Sequence, residues 1–443
     1  VVPGIGRISE QPADTRLQFR RLEHNAVNVC HIYGLLSICS YTINKRRQFI
    51  FCNFIATNTF LVYNEIHNIL YITICTNLDN QSRKDKAYCW KGISMDCLIF
   101  KDDELERMIE IINELQLCFH PVYAPEGQFS VHNIFELSSF DRDIIIIADK
   151  NIVSPICEIA RLGTLNDEYR LRKIALFVIW TKNLKARLTC GVGLFESDSE
   201  NLDAISGEAT RLQFLHGVDC IPAQLWKDLA FGYIDCVPNQ FLYNSRSTEV
   251  KKYKFDQDFL FLSNEAAIIK IVQLLRTPKI AGIDKFITFM NWYTDNLDLA
   301  ECVIVYAALV FGNIPHVAFP KGSQSKNYAK TVQGIRNQAW DITYIALWSI
   351  QYYNENSSRQ YMFATDDITQ KMILVNILPL GKCQDSLEAI FHTHSQRQKL
   401  EYLFDTKLGA ARIRPFQNMN DVQRNQAVNR LVSTEYATLK EMF

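Results

Sequence analysis

The 443-residue chain predicts an α/β protein with parallel strands, and three observations carry that expectation. Residues 144–149 read IIIIAD, an unbroken, mostly β-branched run that suits a strand covered on both faces and closes on Asp149. Residues 361–365 form a second short apolar strand, closing on Asp366-Asp367. Stretches with helical apolar spacing lie between and after them. In a parallel sheet the strand ends and the following helix N-termini meet at one edge, where ligands bind. At that edge Asp149 is either an ordinary turn residue or part of a site.

The composition, 48% hydrophobic and 21% charged, describes a soluble globular chain. A formal net charge of −1 makes no overall electrostatic case for nucleic acid, so such a partner has to be argued from a local site. Thirteen cysteines include no Cys-x-x-Cys pair and no zinc-type spacing, which reads as reduced, mostly buried thiols and a cytoplasmic location. No apolar window is long enough for a membrane span. No dinucleotide-binding or P-loop glycine pattern occurs, and His392-Thr393-His394 lacks an acidic partner nearby.

Residues 1–94 differ from the rest. They hold 11 Lys+Arg and 6 Asp+Glu, a net +5, against 36 and 42, a net −6, for 95–443, and the first methionine is Met95. One reading is translated upstream sequence, or another non-native segment, before a natural start at Met95; the other is a small N-terminal domain.

From Met95 onward the elements follow in order. A strand is expected at 97–100, then a helix capped by Asp102 or Asp103 to about 117, with Leu105, Met108, Ile109 and Ile112 as its apolar stripe. Residues 119–140 read as loop with one short element near 131–137. Pro155 and Gly163 predict a loop or broken short helix at 151–165. Asn166 then caps a buried helix to about 184, and 187–197 is a glycine-containing passage carrying Glu196. Residues 201–330 read as mainly helical, at 206–217, 222–232, 264–276, 283–295 and 299–311. Two basic, flexible segments, 250–254 and 321–330, interrupt them. Gly334 precedes a helix at 336–353 carrying Asp341, and a short helix at 368–372 follows the second strand. The apolar run 373–380 is closed by Pro379 and Gly381, and 383–443 is a helical tail.

Four acidic stretches thus fall in chain order: Asp149, Glu196, Asp341 and Asp366-Asp367. Carboxylates gathered at one sheet edge repel unless cations neutralise them, and oxygen-only ligands suit Mg²⁺ or Mn²⁺. Two such ions can drive phosphodiester hydrolysis.

The pattern resembles the PIN-domain (PIN-like) endonucleases. Asp149-Lys150-Asn151-Ile152 matches the family's first element. Asp341 in Asn337-Gln338-Ala339-Trp340-Asp341 matches the third, and Thr365-Asp366-Asp367 the fourth. Glu196 stands for the family's mid-domain glutamate, although glycines precede it here where the family has a helix. The resemblance covers about 141–200 and 330–380. It implies a Rossmann-like, three-layer domain with four or five parallel strands, formed by 95–200 and 331–382, with 201–330 as a large helical insertion.

It also implies metal-dependent cleavage of RNA, less often of DNA, as in a toxin or defence effector restrained by an inhibitory protein partner. Asp149, Asp341 and Asp367, with Asp366 beside it, would hold Mg²⁺ or Mn²⁺, and Glu196 would complete the catalytic set. Asn151 and Asn337 would support the ligands from behind, and Lys330, Arg336 and Lys371 would meet phosphates or simply be solvated surface. The competing expectation is a non-catalytic α/β protein that binds a partner through its helical insertion.

Overall fold

The computed structural model describes residues 49–51, 98–100, 102–139, 143–191, 193, 196, 207–244, 258–353, 359–378, 382–408 and 415–443. Phe49–Phe51 pairs antiparallel with Leu98–Phe100. The remaining expectations for 1–94, those for the basic loop 250–254, and the roles of Pro379 and Gly381 lie outside the described residues.

The organising unit is a four-stranded open sheet in the order β1-β4-β2-β3, where β1 is Cys118–Phe119, β2 Asp143–Ala148, β3 Arg187–Thr189 and β4 Arg359–Ala364. The strands β4, β2 and β3 run parallel, whereas β1 pairs antiparallel with β4. The sheet is therefore mixed rather than wholly parallel, because a two-residue strand in a stretch that reads as helix end and loop adds itself to the edge. Side chains alternate across it. Ile144, Ile146 and Ala148 join one core with Met362 and Ala364, while Ile147 joins the other with Phe119, Tyr361 and Phe363. The isoleucine run is apolar throughout because both faces of its strand are covered.

On the first face lie α1 (Asp102–Leu115), α2 (Val131–Ser139), α3 (Lys150–Leu162), α4 (Glu168–Asn183), α5 (Gly207–Leu215) and α6 (Ala223–Ala230). The second face carries α7 (Phe259–Arg276), α8 (Gly282–Asn296), α9 (Glu301–Phe311), α10 (Tyr328–Tyr353) and α11 (Ile368–Ile377). The layer is completed by α12 (Cys383–Ile390), α13 (His394–Leu403) and α14 (Asp421–Lys440). The stretch 201–330 is thus divided between two helical layers: Phe214 and Trp226 pack in the first core, Phe261 and Phe289 in the second.

Three local expectations change. Residues 150–162 form one helix despite Pro155. The ring removes the hydrogen bond to the Asn151 carbonyl, and the Arg170 guanidinium donates to that oxygen instead, at 3.4 Å. Gly163 ends the helix in the left-handed conformation, at φ 80°. The α4 cap is Asp167, not Asn166. Gly334 lies inside α10 rather than before it, because a Cβ there would stand 1.6 Å from the Lys321 carbonyl oxygen. The chain at Lys321 crosses the helix at a contact that only glycine admits.

Candidate functional site

At the carboxyl ends of β2 and β4 a cavity of about 230 Å³ opens between the two layers. Asp149, Glu196, Asp341 and Asp367 all line it, together with Lys150, Asn151, Phe319, Lys321, Asn337, Gln338 and Tyr344. Four carboxylates from distant parts of the chain therefore share one concavity, and both asparagines expected beside them are there.

Asp149 follows β2 and caps α3, its carboxylate accepting from the Asn151 backbone N–H. Its other oxygen accepts from the Thr365 hydroxyl at 2.5 Å, so the residue ending β4 orients the one ending β2. The same hydroxyl accepts from the Asp367 backbone N–H at 3.0 Å. Asp367 in turn caps α11 by accepting from Gln370 N–H at 2.9 Å, while the Gln370 amide donates to Asp341 at 3.2 Å. A continuous hydrogen-bonded path thus runs Asp149, Thr365, Asp367, Gln370, Asp341. Glu196 is held separately: Tyr344 donates its hydroxyl at 2.7 Å and the Lys150 ammonium lies at 3.3 Å. Gly191, Gly193 and Glu196 are helical, so the glycines do not keep the glutamate off a helix.

Burial pushes the Asp149 carboxyl up to about 7; the hydrogen bonds from Thr365 and Asn151 oppose the rise, and the charges of Glu196 and Asp367 add to it. Asp341 sits well above the usual carboxylate range, first through loss of water and then through Asp367, Glu196 and Asp149. The cavity concentrates negative charge beyond what Lys150 and Lys321 offset. Among the described residues no three His, Cys, Asp or Glu side chains already stand as a set able to hold a metal ion. The donors themselves are hard oxygens under mutual repulsion, the chemistry that a Mg²⁺ or Mn²⁺ relieves.

No family model, curated protein or solved structure matches this chain. The family resemblance rests on the residues alone.

Other expected residues lie elsewhere. Asp366 turns from the cavity to ion pairs with Lys173 at 2.5 Å and Lys371 at 3.5 Å. Lys371 also donates to the Leu115 carbonyl at 2.7 Å, so it is part of a wall. Arg336 pairs with buried Glu265 at 3.4 Å and lies over the Phe261 ring. Lys330 is exposed and does not line the cavity. Arg336 stands five positions before Asp341, on another face of α10; Lys330 stands eleven before it, about three turns along the helix; and Lys371 is drawn to Asp366 and the Leu115 carbonyl instead. Sequence reasoning missed Lys150, Phe319 and Tyr344. The Asp-x-Asn spacing draws the eye past Lys150, and a single Tyr or Phe in an apolar stretch carries no pattern.

Proposed function

We propose that this protein is a metal-dependent, PIN-like endonuclease that hydrolyses phosphodiester bonds, with RNA as the favoured substrate. The observation that carries the reading is the convergence of Asp149, Glu196, Asp341 and Asp367 in one cavity at the carboxyl edge of the parallel strands. Asp149, Asp341 and Asp367 would hold Mg²⁺ or Mn²⁺, and Asn151 and Asn337 stand beside them. A bound divalent ion supplies Lewis acidity and a more acidic water.

The chain's own residues do the rest. Glu196, fixed by Tyr344 and Lys150, takes one proton of the water that attacks phosphorus, the P–O bond to the leaving oxygen breaks, and that oxygen takes a proton from solvent. Lys321 at the rim meets the phosphate charge, and Phe319, 40% exposed, offers a face to a base. A cytoplasmic toxin or defence effector, held in check by an inhibitory protein, is the setting that fits such an activity. No helix among the described residues is long and apolar enough to cross a membrane. Of the described cysteines, Cys118, Cys157, Cys190 and Cys302 are buried and Cys220 and Cys236 exposed, all with free thiols.

One observation favours the non-catalytic reading: Asp149 and Asp367 each cap a helix, a task that needs no chemistry. Purified protein with Mn²⁺ and labelled RNA or DNA separates the two. Cleavage by the wild type, with a loss of about 100-fold or more in Asp149→Asn and Asp341→Asn, is expected. Equal cleavage by all three, or none by any, leaves the interaction protein.

A further inference from the structure

A second cavity, of about 360 Å³, lies on the far side of Asp366 from the carboxylates. Its floor is apolar, with Leu176 and Phe231 among its residues, and its rim carries Arg107, Tyr169 and Lys173. Tyr169 is 67% exposed although it is a large aromatic, and the Lys173 ammonium sits 5.4 Å from its ring centre. Arg172 and Glu168 also line the cavity but pair with each other, and Arg172 pairs again with Asp235. Arg107 is exposed at the rim.

The two cavities share a wall. Lys173 of the second donates to Asp366, whose chain neighbour Asp367 lines the first. Lys371 ties Asp366 to the carbonyl of Leu115, another residue of the second cavity. Beside Tyr169, Arg170 reaches the carbonyl of Asn151, which lines the first. Each cavity thus carries an aromatic face and a cation, Phe319 with Lys321 in the first and Tyr169 with Arg107 in the second.

We infer that the second cavity is a nucleotide subsite: it receives a base of a single-stranded nucleic acid against Tyr169, with the adjoining phosphate at Arg107, while the neighbouring phosphodiester lies at the carboxylates. Single strands are bound in this way by aromatic platforms interleaved with cations, since every base has a face to stack and every linkage a charge to meet. A single strand is the form that fits, because its bases are unpaired and free to enter a cavity lined by Phe231 and Leu176. The inference rests on the endonuclease reading for the position of the strand, and it is separable from that reading by binding measured without cleavage.

The test is fluorescence anisotropy of labelled single-stranded RNA and DNA in EDTA, where no divalent ion is free, with cleavage in Mn²⁺ measured in parallel. Tyr169→Ala is expected to weaken binding about tenfold, within the range for loss of one stacked base. Tyr169→Phe keeps the ring and restores binding. Arg107→Ala weakens it several-fold, more at low salt than at high. Tyr402→Ala, at a tyrosine equally exposed (70%) on the tail, leaves it unchanged. Circular dichroism of each variant checks that the fold is retained.

If wild type cleaves or binds but Tyr169→Ala and Arg107→Ala bind as tightly as it does, the subsite is overturned and the endonuclease stands. If binding depends on Tyr169 while no substrate is cut, the subsite stands and the endonuclease falls. Wild type that binds no oligonucleotide overturns the subsite.

Discussion

Burial raises the Asp149 carboxyl from 3.8 to about 7, and burial, with the charges of Asp367, Glu196 and Asp149 added, holds Asp341 well above the usual carboxylate range. A group whose folded pKa lies above its unfolded one binds more protons in the folded state. Stability therefore falls as pH rises from about 4 through 7 and is flat above for Asp149. Replacing the carboxylate removes this term. Asp149→Asn, in which asparagine still caps α3, is expected to stabilise the protein at pH 8 by about 1–3 kcal/mol, and Asp341→Asn to act in the same direction. At pH 4 the gain should nearly vanish. Scanning calorimetry at the two pH values reads this directly, and a gain of equal size at both would mean that charge is not its source.

At the scale of the element, α10 carries the most consequential glycine. Alanine is normally the better helix residue by about 1 kcal/mol. At Gly334 a Cβ would meet the Lys321 carbonyl at 1.6 Å, a backbone atom that cannot rotate away. Gly334→Ala is expected to destabilise by about 2–3 kcal/mol in urea denaturation and to displace Lys321 from the cavity. Gly193→Ala, whose nearest neighbour is the Tyr344 hydroxyl at 3.5 Å, is expected to be neutral or mildly stabilising. A tolerated Gly334→Ala would mean that the crossing at Lys321 is loose.

The same helix marks where the sequence was legible and where it was not. Strand β2 could be read because burial on both faces leaves an uninterrupted apolar run, and Asp149 because it closes that run. The order of Asp149, Glu196, Asp341 and Asp367 was visible as well. Pro155 and Gly334 misled for one reason: each breaks a local rule that a distant residue, Arg170 or Lys321, compensates. Tyr344 could not be singled out, since its task depends on meeting Glu196 across 148 positions of chain.

For the whole molecule, the two cores lie on opposite faces of the sheet, and the second is closed by α14 against α7. Buried Glu435 fastens that closure: it accepts from Gln273 at 2.8 Å and Trp292 at 2.9 Å, with Lys270 at 3.6 Å. Glu435→Ala leaves the Trp292 indole N–H without its acceptor and Lys270 without its carboxylate, while the Gln273 amide keeps the backbone carbonyl of residue 435, and is expected to cost about 3 kcal/mol in chemical denaturation. A change under about 0.5 kcal/mol would place the tail helix outside the cooperative unit.

The hydroxyl of Thr365 reaches Asp149 across 216 positions, because β4 enters the sheet beside β2 long after β2 is made. Contacts of such separation close late in folding, and a chain folding during synthesis can complete its first layer before β4 exists. Asp149 and Glu196 then wait, harmless, for partners still to be translated. If the site cuts RNA as proposed, this topology is also a timing device: the carboxylate set is incomplete until the segment carrying Asp341 and Asp367 has been made.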